Sequence, residues 1–280
     1  DWQVQPHRAA LLIHDMQQYF LSFFDPETSP VMELLENIAL LREHCTALGI
    51  PIIYTAQPGE QTDQERGLLN DFWGPGLTAQ PDKQSILGKL EPTADNHVLT
   101  KYRYSAFHRT KLQSLLQSEG RDQLIICGIY AHIGCLLTAS ESFMNDIQPF
   151  LVADAVADFS LKNHHIALNY VVQCCAVTLT SAQLIEHLQH HKQTETTLQN
   201  EQTSTKLVEG LRAQLANLLQ CSPQDMEPED NLLDFGLDSI RLMSLIEHWR
   251  HEGVEVDFAD LAERPTLNHW GHLLADHVTH

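Results

Sequence analysis

Short apolar segments alternate with longer helical segments through the first two-thirds of the chain, and this alternation limits the fold more than any other feature. The apolar segments are rich in Val, Ile and Leu without strict polar alternation, which is typical of strands covered on both faces. The predicted strands are Ala9–His14, Pro51–Ala56, His97–Thr100, Gln123–Cys127 and Phe150–Ala153. Strands separated by helices pair in parallel, so we predict an α/β domain in which a parallel sheet lies between two helical layers.

Apolar residues at helical spacing predict the helices that cover this sheet. The predicted helices are Val31–Leu48, Lys111–Ser118, Leu136–Asn145 and Ala167–Leu188. Gly49 and Gly120 follow the first two, and a glycine just after the last periodic residue is a common helix stop.

The chain changes character at about residue 188. Residues 189–204 are polar and almost free of apolar side chains, which indicates a linker. Residues 205–280 then show only helical periodicity, which predicts a small four-helix domain. Its predicted helices are Lys206–Leu219, Ser239–Glu252, Phe258–Ala262 and Thr266–Val278. The sequence therefore predicts one domain over residues 1–188, a polar linker over 189–204 and a second domain over 205–280.

The charge of the chain narrows the classes of partner. Asp and Glu number 37 against 17 Lys and Arg, so the formal net charge at pH 7 is −20. Nucleic acid and anionic membranes are poor partners for such a chain, whereas basic protein surfaces are good ones. No apolar run reaches the roughly 20 residues that span a bilayer, and no signal peptide is visible. We therefore expect a cytoplasmic protein.

Cysteine and histidine usage agrees with that expectation. The six cysteines form no C-x-x-C pair, which is typical of reduced, buried thiols in a cytosolic protein of this length. The 17 histidines include adjacent pairs but no H-E-x-x-H spacing, so no metal site is predicted.

One serine, Ser239, stands between Asp238 and an amphipathic helix. The first amide groups of a helix have no intrahelical partner, so a phosphodiester on Ser239 would be stabilised there. Asp-Ser before a helix is also an ordinary N-cap. The segment Leu233-Asp-Phe-Gly-Leu-Asp-Ser-Ile-Arg-Leu242 resembles the phosphopantetheine attachment motif of acyl, peptidyl and aryl carrier domains. Ile240 replaces the leucine usual in that family and is expected to be an apolar helix contact.

Three predicted strand ends bring chemically different groups to one edge of the sheet. Asp15 follows the first strand, Lys101 follows the third, and the fourth leads into the turn Tyr130-Ala-His-Ile-Gly134. The carboxyl ends of parallel strands border the crevice where α/β proteins bind ligands. We therefore predict a site that contains an acid, an ammonium group and a tight turn.

This arrangement resembles the isochorismatase-like hydrolases over nearly all of residues 1–188. Members of that family usually have Asp, Lys and Cys at these three places, and Gly134 stands where the nucleophilic cysteine is expected. Cys135 is one position later, and one residue along a helix turns the side chain by about 100°. The resemblance therefore implies the isochorismatase reaction itself, in which a vinyl ether is hydrolysed without a covalent nucleophile.

The same resemblance implies roles for individual residues. The catalytic set is Asp15 as general acid, Lys101 holding or polarising it, and Gly134; the acid role requires that the pKa of Asp15 be raised. The positions expected to bind substrate are Tyr19, Gln57, Arg66, Trp73 and Tyr130. Tyr19 and Trp73 are equally compatible with ordinary core packing, and Arg66 with a solvated loop charge.

A hydrolase of this family joined to a carrier domain resembles the bifunctional isochorismatase and aryl carrier proteins of catechol siderophore biosynthesis, as in the enterobactin and vibriobactin pathways. The resemblance implies hydrolysis of isochorismate to pyruvate and 2,3-dihydro-2,3-dihydroxybenzoate. It also implies that 4′-phosphopantetheine on Ser239 carries 2,3-dihydroxybenzoate as a thioester in nonribosomal peptide synthesis.

The resemblance implies partners as well. They are a phosphopantetheinyl transferase, a 2,3-dihydroxybenzoate-adenylating enzyme and the condensation domain of a nonribosomal peptide synthetase. Arg241, Leu242 and Met243 are the expected docking contacts, and a homo-oligomer is expected.

Two alternatives stay open at this point. One is a cysteine amidohydrolase of the same fold, with Cys135 as its nucleophile. The other is a non-catalytic scaffold that presents a carrier domain.

Overall fold

The chain folds into two units, residues 1–192 and 193–280. The computed structural model describes residues 2–25, 28–251 and 253–278, and it describes side chains over 2–25, 28–191, 205–251 and 253–274. Among these residues no helix is both long and apolar enough to cross a membrane.

A six-stranded parallel sheet forms the centre of the N-terminal unit. Its strands are β1 Ala9–His14, β2 Ile52–Ala56, β3 His97–Thr100, β4 Gln123–Ile129, β5 Gln148–Ala157 and β6 Val177–Leu179. The strand order is β3-β2-β1-β4-β5-β6, and every neighbouring pair is parallel. The direction of winding reverses between β1 and β4, so the crevice for a ligand lies at the carboxyl ends of these two strands.

Helices cover both faces of the sheet, as the sequence predicted. The helices of this part of the chain, the last of which continues into the C-terminal unit, are α1 Gln18–Leu21, α2 Val31–Ala47, α3 Asp63–Arg66, α4 Leu69–Trp73, α5 Leu112–Ser118, α6 Leu136–Met144, α7 Leu161–Cys174 and α8 Ser181–Leu219. Successive side chains of a strand point to opposite faces. Leu11 and Ile13 accordingly pack with α2 and the start of α8, while Ala10 and Leu12 pack with α5, α6 and α7.

The sequence prediction of one helix over Ala167–Leu188 is wrong. Helix α7 ends at Cys174, strand β6 follows, and α8 begins at Ser181. The β-branched pair Val177 and Thr178 favours strand over helix. The sequence also contains a helix-start signal for α8, the capping-box pair Thr180 and Gln183. The Thr180 N–H donates to the Gln183 side chain at 2.9 Å, and the Gln183 N–H donates to the Thr180 hydroxyl at 3.3 Å.

The segment predicted as a polar linker, residues 189–204, is helical in the structure because α8 runs through it. The polar composition indicated the linker but not its helical backbone. Glu, Gln, Lys and Leu, which occur in this segment, are good helix formers. The division between the units, at residue 192, lies inside the predicted linker.

The C-terminal unit is the predicted small helical domain. The last part of α8 packs with α9 Ser239–His251, α10 Phe258–Glu263 and α11 Leu267–Val278. Trp270 is fully buried at the centre, and its indole N–H donates to the Leu261 carbonyl at 2.9 Å. The predicted end of the second helix, Glu252, lies outside the described residues.

Candidate active site

A buried ion pair occupies the carboxyl end of the sheet. Asp15 follows β1 and Lys101 follows β3, and Lys101 Nζ lies 2.6 Å from Asp15 Oδ2. The side chain of Lys101 is only 1% exposed and that of Asp15 only 8%. Lys101 Nζ also donates to the carbonyls of Arg103 at 2.8 Å and Tyr104 at 3.3 Å, so all three ammonium hydrogens have acceptors.

Thr55, at the end of β2, stands between these two strands and completes the site of Asp15. Its hydroxyl donates to Asp15 Oδ1 at 2.7 Å, and its backbone carbonyl accepts from the Asp15 N–H at 3.2 Å. Asp15 has a left-handed backbone with φ of 51°, which costs a non-glycine residue about 1 kcal/mol or more. The bonds to Thr55 hold the turn that aims the carboxylate at Lys101.

The pKa of Asp15 is lowered from its ordinary value. Burial acts to raise it, but the Lys101 ammonium and the hydrogen bonds from Lys101 and Thr55 together act more strongly in the opposite direction. The raised pKa expected from the sequence is therefore not found, and Asp15 is a carboxylate at neutral pH.

Gly134 faces the same region from the turn after β4. It belongs to a five-residue π-helical turn, Ala131–Cys135, that leads into α6. The next residue, Cys135, is fully buried in the apolar core beneath α6 and α7. Burial raises the pKa of the Cys135 thiol well above its ordinary value. The amidohydrolase alternative therefore has no accessible thiolate at Cys135.

All eight residues predicted for the hydrolase site border one cavity of about 680 Å³, a size suited to a small-molecule ligand. The residues in question are Asp15, Tyr19, Gln57, Arg66, Trp73, Lys101, Tyr130 and Gly134. Others that the sequence did not single out line it too, among them Phe20, Phe23, Phe72, Tyr104 and Phe159.

Arg66 is a buried cation rather than the solvated loop charge considered from the sequence. It is 5% exposed, and its Nε donates to the Gly74 carbonyl at 2.8 Å. Among the described residues no carboxylate lies within 4.0 Å of it. A Cβ on Gly76 would lie 2.7 Å from the guanidinium carbon, so glycine at this position leaves room for Arg66.

Aromatic rings form part of the cavity wall. Tyr130 stacks on Phe159 with ring centroids 4.0 Å apart, and its hydroxyl donates to the Phe20 carbonyl at 2.8 Å. Trp73 is 47% exposed, so it borders the cavity mouth instead of filling the core, and its indole N–H donates to the Tyr104 hydroxyl at 2.8 Å.

The predicted attachment serine lies at the start of α9 in the C-terminal unit. Asp238 caps this helix, because its carboxylate accepts from the Arg241 N–H at 2.8 Å and its carbonyl accepts from the Leu242 N–H at 2.9 Å. Ser239 is therefore the first helical residue, and its side chain is exposed. A hydroxyl in this position is open to a modifying enzyme.

Two expectations about the residues after Ser239 are wrong. Ile240 is 81% exposed instead of forming a helix contact, whereas Leu242 is buried in the domain core and cannot be a docking contact. Helix geometry explains both results. Residues three or four positions from Leu242 share the inward face of α9, whereas Ile240, two positions away, lies on another face. Met243 is 57% exposed, and the Arg241 side chain donates to the Gly236 carbonyl at 2.8 Å.

No group of three or more His, Cys, Asp or Glu side chains that could hold a metal ion occurs in the described part of the chain.

The fold and cavity define a three-layer α/β hydrolase with a buried acid–ammonium pair, joined to a small helical domain with an exposed serine. The family model of the isochorismatase domain matches residues 9–183, and that of the phosphopantetheine attachment site matches residues 209–274. The chain belongs to the isochorismatase family and has a C-terminal phosphopantetheine-attachment domain.

Known proteins match over almost the whole chain. An isochorismatase of Bacillus subtilis (strain 168) is 52% identical over 98% of this chain and 88% of its own length. Enterobactin synthase component B of Escherichia coli (strain K12) is 47% identical over 99% of this chain and 92% of its own length. A solved cysteine hydrolase from Pseudomonas syringae pv. phaseolicola has a TM-score of 0.62 at 21% identity, covering 68% of this chain and 97% of its own, which shows the shared fold.

His14, beside the ion pair, makes the stability of the N-terminal unit depend on pH. Burial lowers its pKa from 6.5 to about 4. As the pH falls from 6.5 to about 4, the unfolded chain takes up this proton before the folded chain does, so about 3 kcal/mol of stability is lost over that window. We expect His14→Asn to reduce the fall in Tm between these pH values by several degrees, measured by calorimetry of the full chain.

The matched control for this pH prediction is His108→Asn, at an exposed histidine of the same unit. It should leave the pH dependence of Tm as in the wild type. An equal pH dependence in both variants would contradict the assignment to His14.

Proposed function

We propose that the N-terminal unit hydrolyses the vinyl ether of isochorismate to pyruvate and 2,3-dihydro-2,3-dihydroxybenzoate. The C-terminal unit carries 2,3-dihydroxybenzoate as a thioester in catechol siderophore synthesis. The observation that carries the hydrolase proposal is a buried Asp15–Lys101 pair in a cavity where residue 134 is glycine and supplies no nucleophile.

The chemistry requires an acid and water but no covalent catalyst. A proton is added to the terminal methylene carbon of the enolpyruvyl group, and water adds to the resulting oxocarbenium carbon. Collapse of the hemiketal breaks the carbon–oxygen bond and gives pyruvate and the alcohol. Asp15 is the general acid, because it is the carboxyl group of the cavity that borders Lys101.

Asp15 acquires its proton when substrate binds. Its pKa is lowered by Lys101 and Thr55, but a ligand with two carboxylates adds negative charge and displaces water, and both effects raise the pKa of Asp15. Lys101 and Thr55 keep the carboxyl oriented during this change, since both bond to it directly.

Arg66 binds a substrate carboxylate. Its guanidinium is buried in the cavity wall with no carboxylate partner among the described residues, so an anionic ligand would complete an otherwise unmatched charge. Gln57 adds a neutral amide, and the rings of Tyr19, Trp73 and Tyr130 enclose the substrate ring.

Ser239 is the attachment point for phosphopantetheine. The exposed side chain at the first position of α9 fits a bulky phosphodiester, and the helix start favours its negative charge. The group supplies a flexible thiol on which an aryl acid is held as a thioester. Ser239 itself takes no part in hydrolysis.

The proposed partners follow from this role: a phosphopantetheinyl transferase, a 2,3-dihydroxybenzoate-adenylating enzyme and the condensation domain of a nonribosomal peptide synthetase. We also propose that the protein is cytoplasmic and forms a homo-oligomer. Its six cysteines, all within the described residues, are free thiols, which is typical of cytoplasmic proteins. Exposed Ile240 and Met243 are better placed than Leu242 to contact partners.

Asp15→Asn should abolish pyruvate release from isochorismate, with kcat reduced at least about 100-fold because the amide cannot donate the proton. Coupling to lactate dehydrogenase measures the rate. Loading of Ser239 by a transferase is the internal control and should be unchanged. Wild-type rates in this variant would rule out Asp15 as the acid.

Arg66→Gln should raise KM for isochorismate roughly 10- to 100-fold, because one charge-assisted contact to a carboxylate is lost. Arg109→Gln, at an exposed arginine of the same unit, is the matched control and should keep the wild-type KM. An unchanged KM in Arg66→Gln would mean that the substrate carboxylate binds elsewhere.

Ser239→Ala should prevent loading and leave hydrolysis intact, since Ser239 belongs to the C-terminal unit. Incubation of the wild type with coenzyme A and a transferase should add about 340 Da to the intact mass. A gain of the same mass by the Ser239→Ala variant would place the attachment at another residue.

A further inference from the structure

The imidazole of His14 fills the space that a side chain on residue 134 would need. A Cβ built on Gly134 would overlap this ring, lying 2.8 Å from Nδ1 and 2.9 Å from Nε2. Both distances are shorter than real Cβ contacts allow, so one group must move. Residue 134 is therefore confined to glycine for as long as the ring stays in place.

The His14 ring is held firmly in this position. It is fully buried at the end of β1, and its Nδ1 lies 2.9 Å from the Ile129 carbonyl oxygen. A carbonyl only accepts hydrogen bonds, so Nδ1 carries the proton of the neutral imidazole. Moving the ring aside would break this bond inside a close-packed core.

The filled space borders the reacting groups. His14 Nδ1 is 3.7 Å from Asp15 Oδ2, while Gly134 lines the cavity that contains Asp15 and Lys101. A side chain on residue 134 would thus need the space next to Asp15 that the His14 ring fills. The neutral imidazole of His14 is buried behind the cavity wall and is bonded to the Ile129 carbonyl.

We propose that His14 is a specificity-determining residue that excludes a side-chain nucleophile at position 134, so that water is the attacking group. This inference deepens the proposed function and rests on it for the identity of the reaction. The structural part of the proposal is that the His14 ring and a side chain on residue 134 cannot both fit. This part can be tested without substrate.

A double-mutant cycle on Tm tests that exclusion. Gly134→Ala should lower the Tm of the full chain by about 5 °C or more, because the added methyl overlaps the ring. His14→Ala should also lower it, through the cavity left behind. The double variant His14→Ala/Gly134→Ala should be more stable than Gly134→Ala, because the methyl then has room.

Gly88→Ala is the matched control, since a Cβ there meets no atom within 4 Å, and it should keep the wild-type Tm. If Gly134→Ala does not fold, recovery of folded protein in the double variant supports the proposal equally. Additive losses in the double variant would overturn it.

Thiol labelling tests the consequence for reactivity. In His14→Ala/Gly134→Cys the introduced thiol should enter the space beside Asp15 and Lys101 and react with iodoacetamide at least about 10-fold faster than in Gly134→Cys alone. Peptide mass spectrometry across positions 134 and 135 gives the rate, with buried Cys135 as the baseline and exposed Cys174 as the reference.

Equal labelling rates in the single and double variants would overturn the role of His14. Neither Tm nor labelling uses isochorismate, whereas pyruvate release by the wild type tests the proposed reaction separately. Failure of one proposal is therefore distinguishable from failure of the other.

Discussion

The buried ion pair between Asp15 and Lys101 is the interaction on which the site depends. Removing both charges from water costs several kcal/mol per ion, and the pair is tolerated only because each partner has further hydrogen bonds. Strand order supplies these bonds: β3, β2 and β1 are neighbours, so Lys101, Thr55 and Asp15 lie at three adjacent strand ends. The strand order of the sheet thus positions the proposed catalytic pair.

The same pair limits when Asp15 can act as an acid. An ammonium at 2.6 Å stabilises the carboxylate, so Asp15 is ionised at neutral pH and has no proton to donate. An anionic ligand reverses that balance in two ways, through its charge and by excluding water. In the proposed mechanism buried Arg66 binds such a ligand, so the ligand that is recognised is also the one that raises the pKa of the proposed acid.

The sequence could predict the groups that depend on local pattern. Asp15 and Lys101 were identified because each directly follows an apolar strand, and Gly134 because the turn after the fourth strand resembles a family motif. Those predictions needed no knowledge of which strands are neighbours.

Residues whose importance depends on strand order or side-chain packing were missed. Thr55 contacts Asp15 because β2 lies between β1 and β3. His14 restricts residue 134 because the turn after β4 packs Gly134 against the His14 ring. Strand β6 has only three residues, too few to show the two-residue alternation of a strand, so the apolar pattern predicts a helix there. The exposure of Ile240 depends on which face of α9 points into the small domain, and the apolar character of the residue alone does not determine this.

The two units place their reactive groups in opposite environments, and the chemistry of each requires this. The proposed proton transfer to carbon needs a secluded site, where charges are weakly screened and water is controlled, and Asp15 and Lys101 are almost fully buried. The proposed attachment serine must be reached by other proteins, and Ser239 lies exposed at a helix start. All residues that line the hydrolase cavity belong to the N-terminal unit, and Ser239 belongs to the other. Burial therefore separates the two functions in physical terms, since a group suited to one environment could not serve in the other.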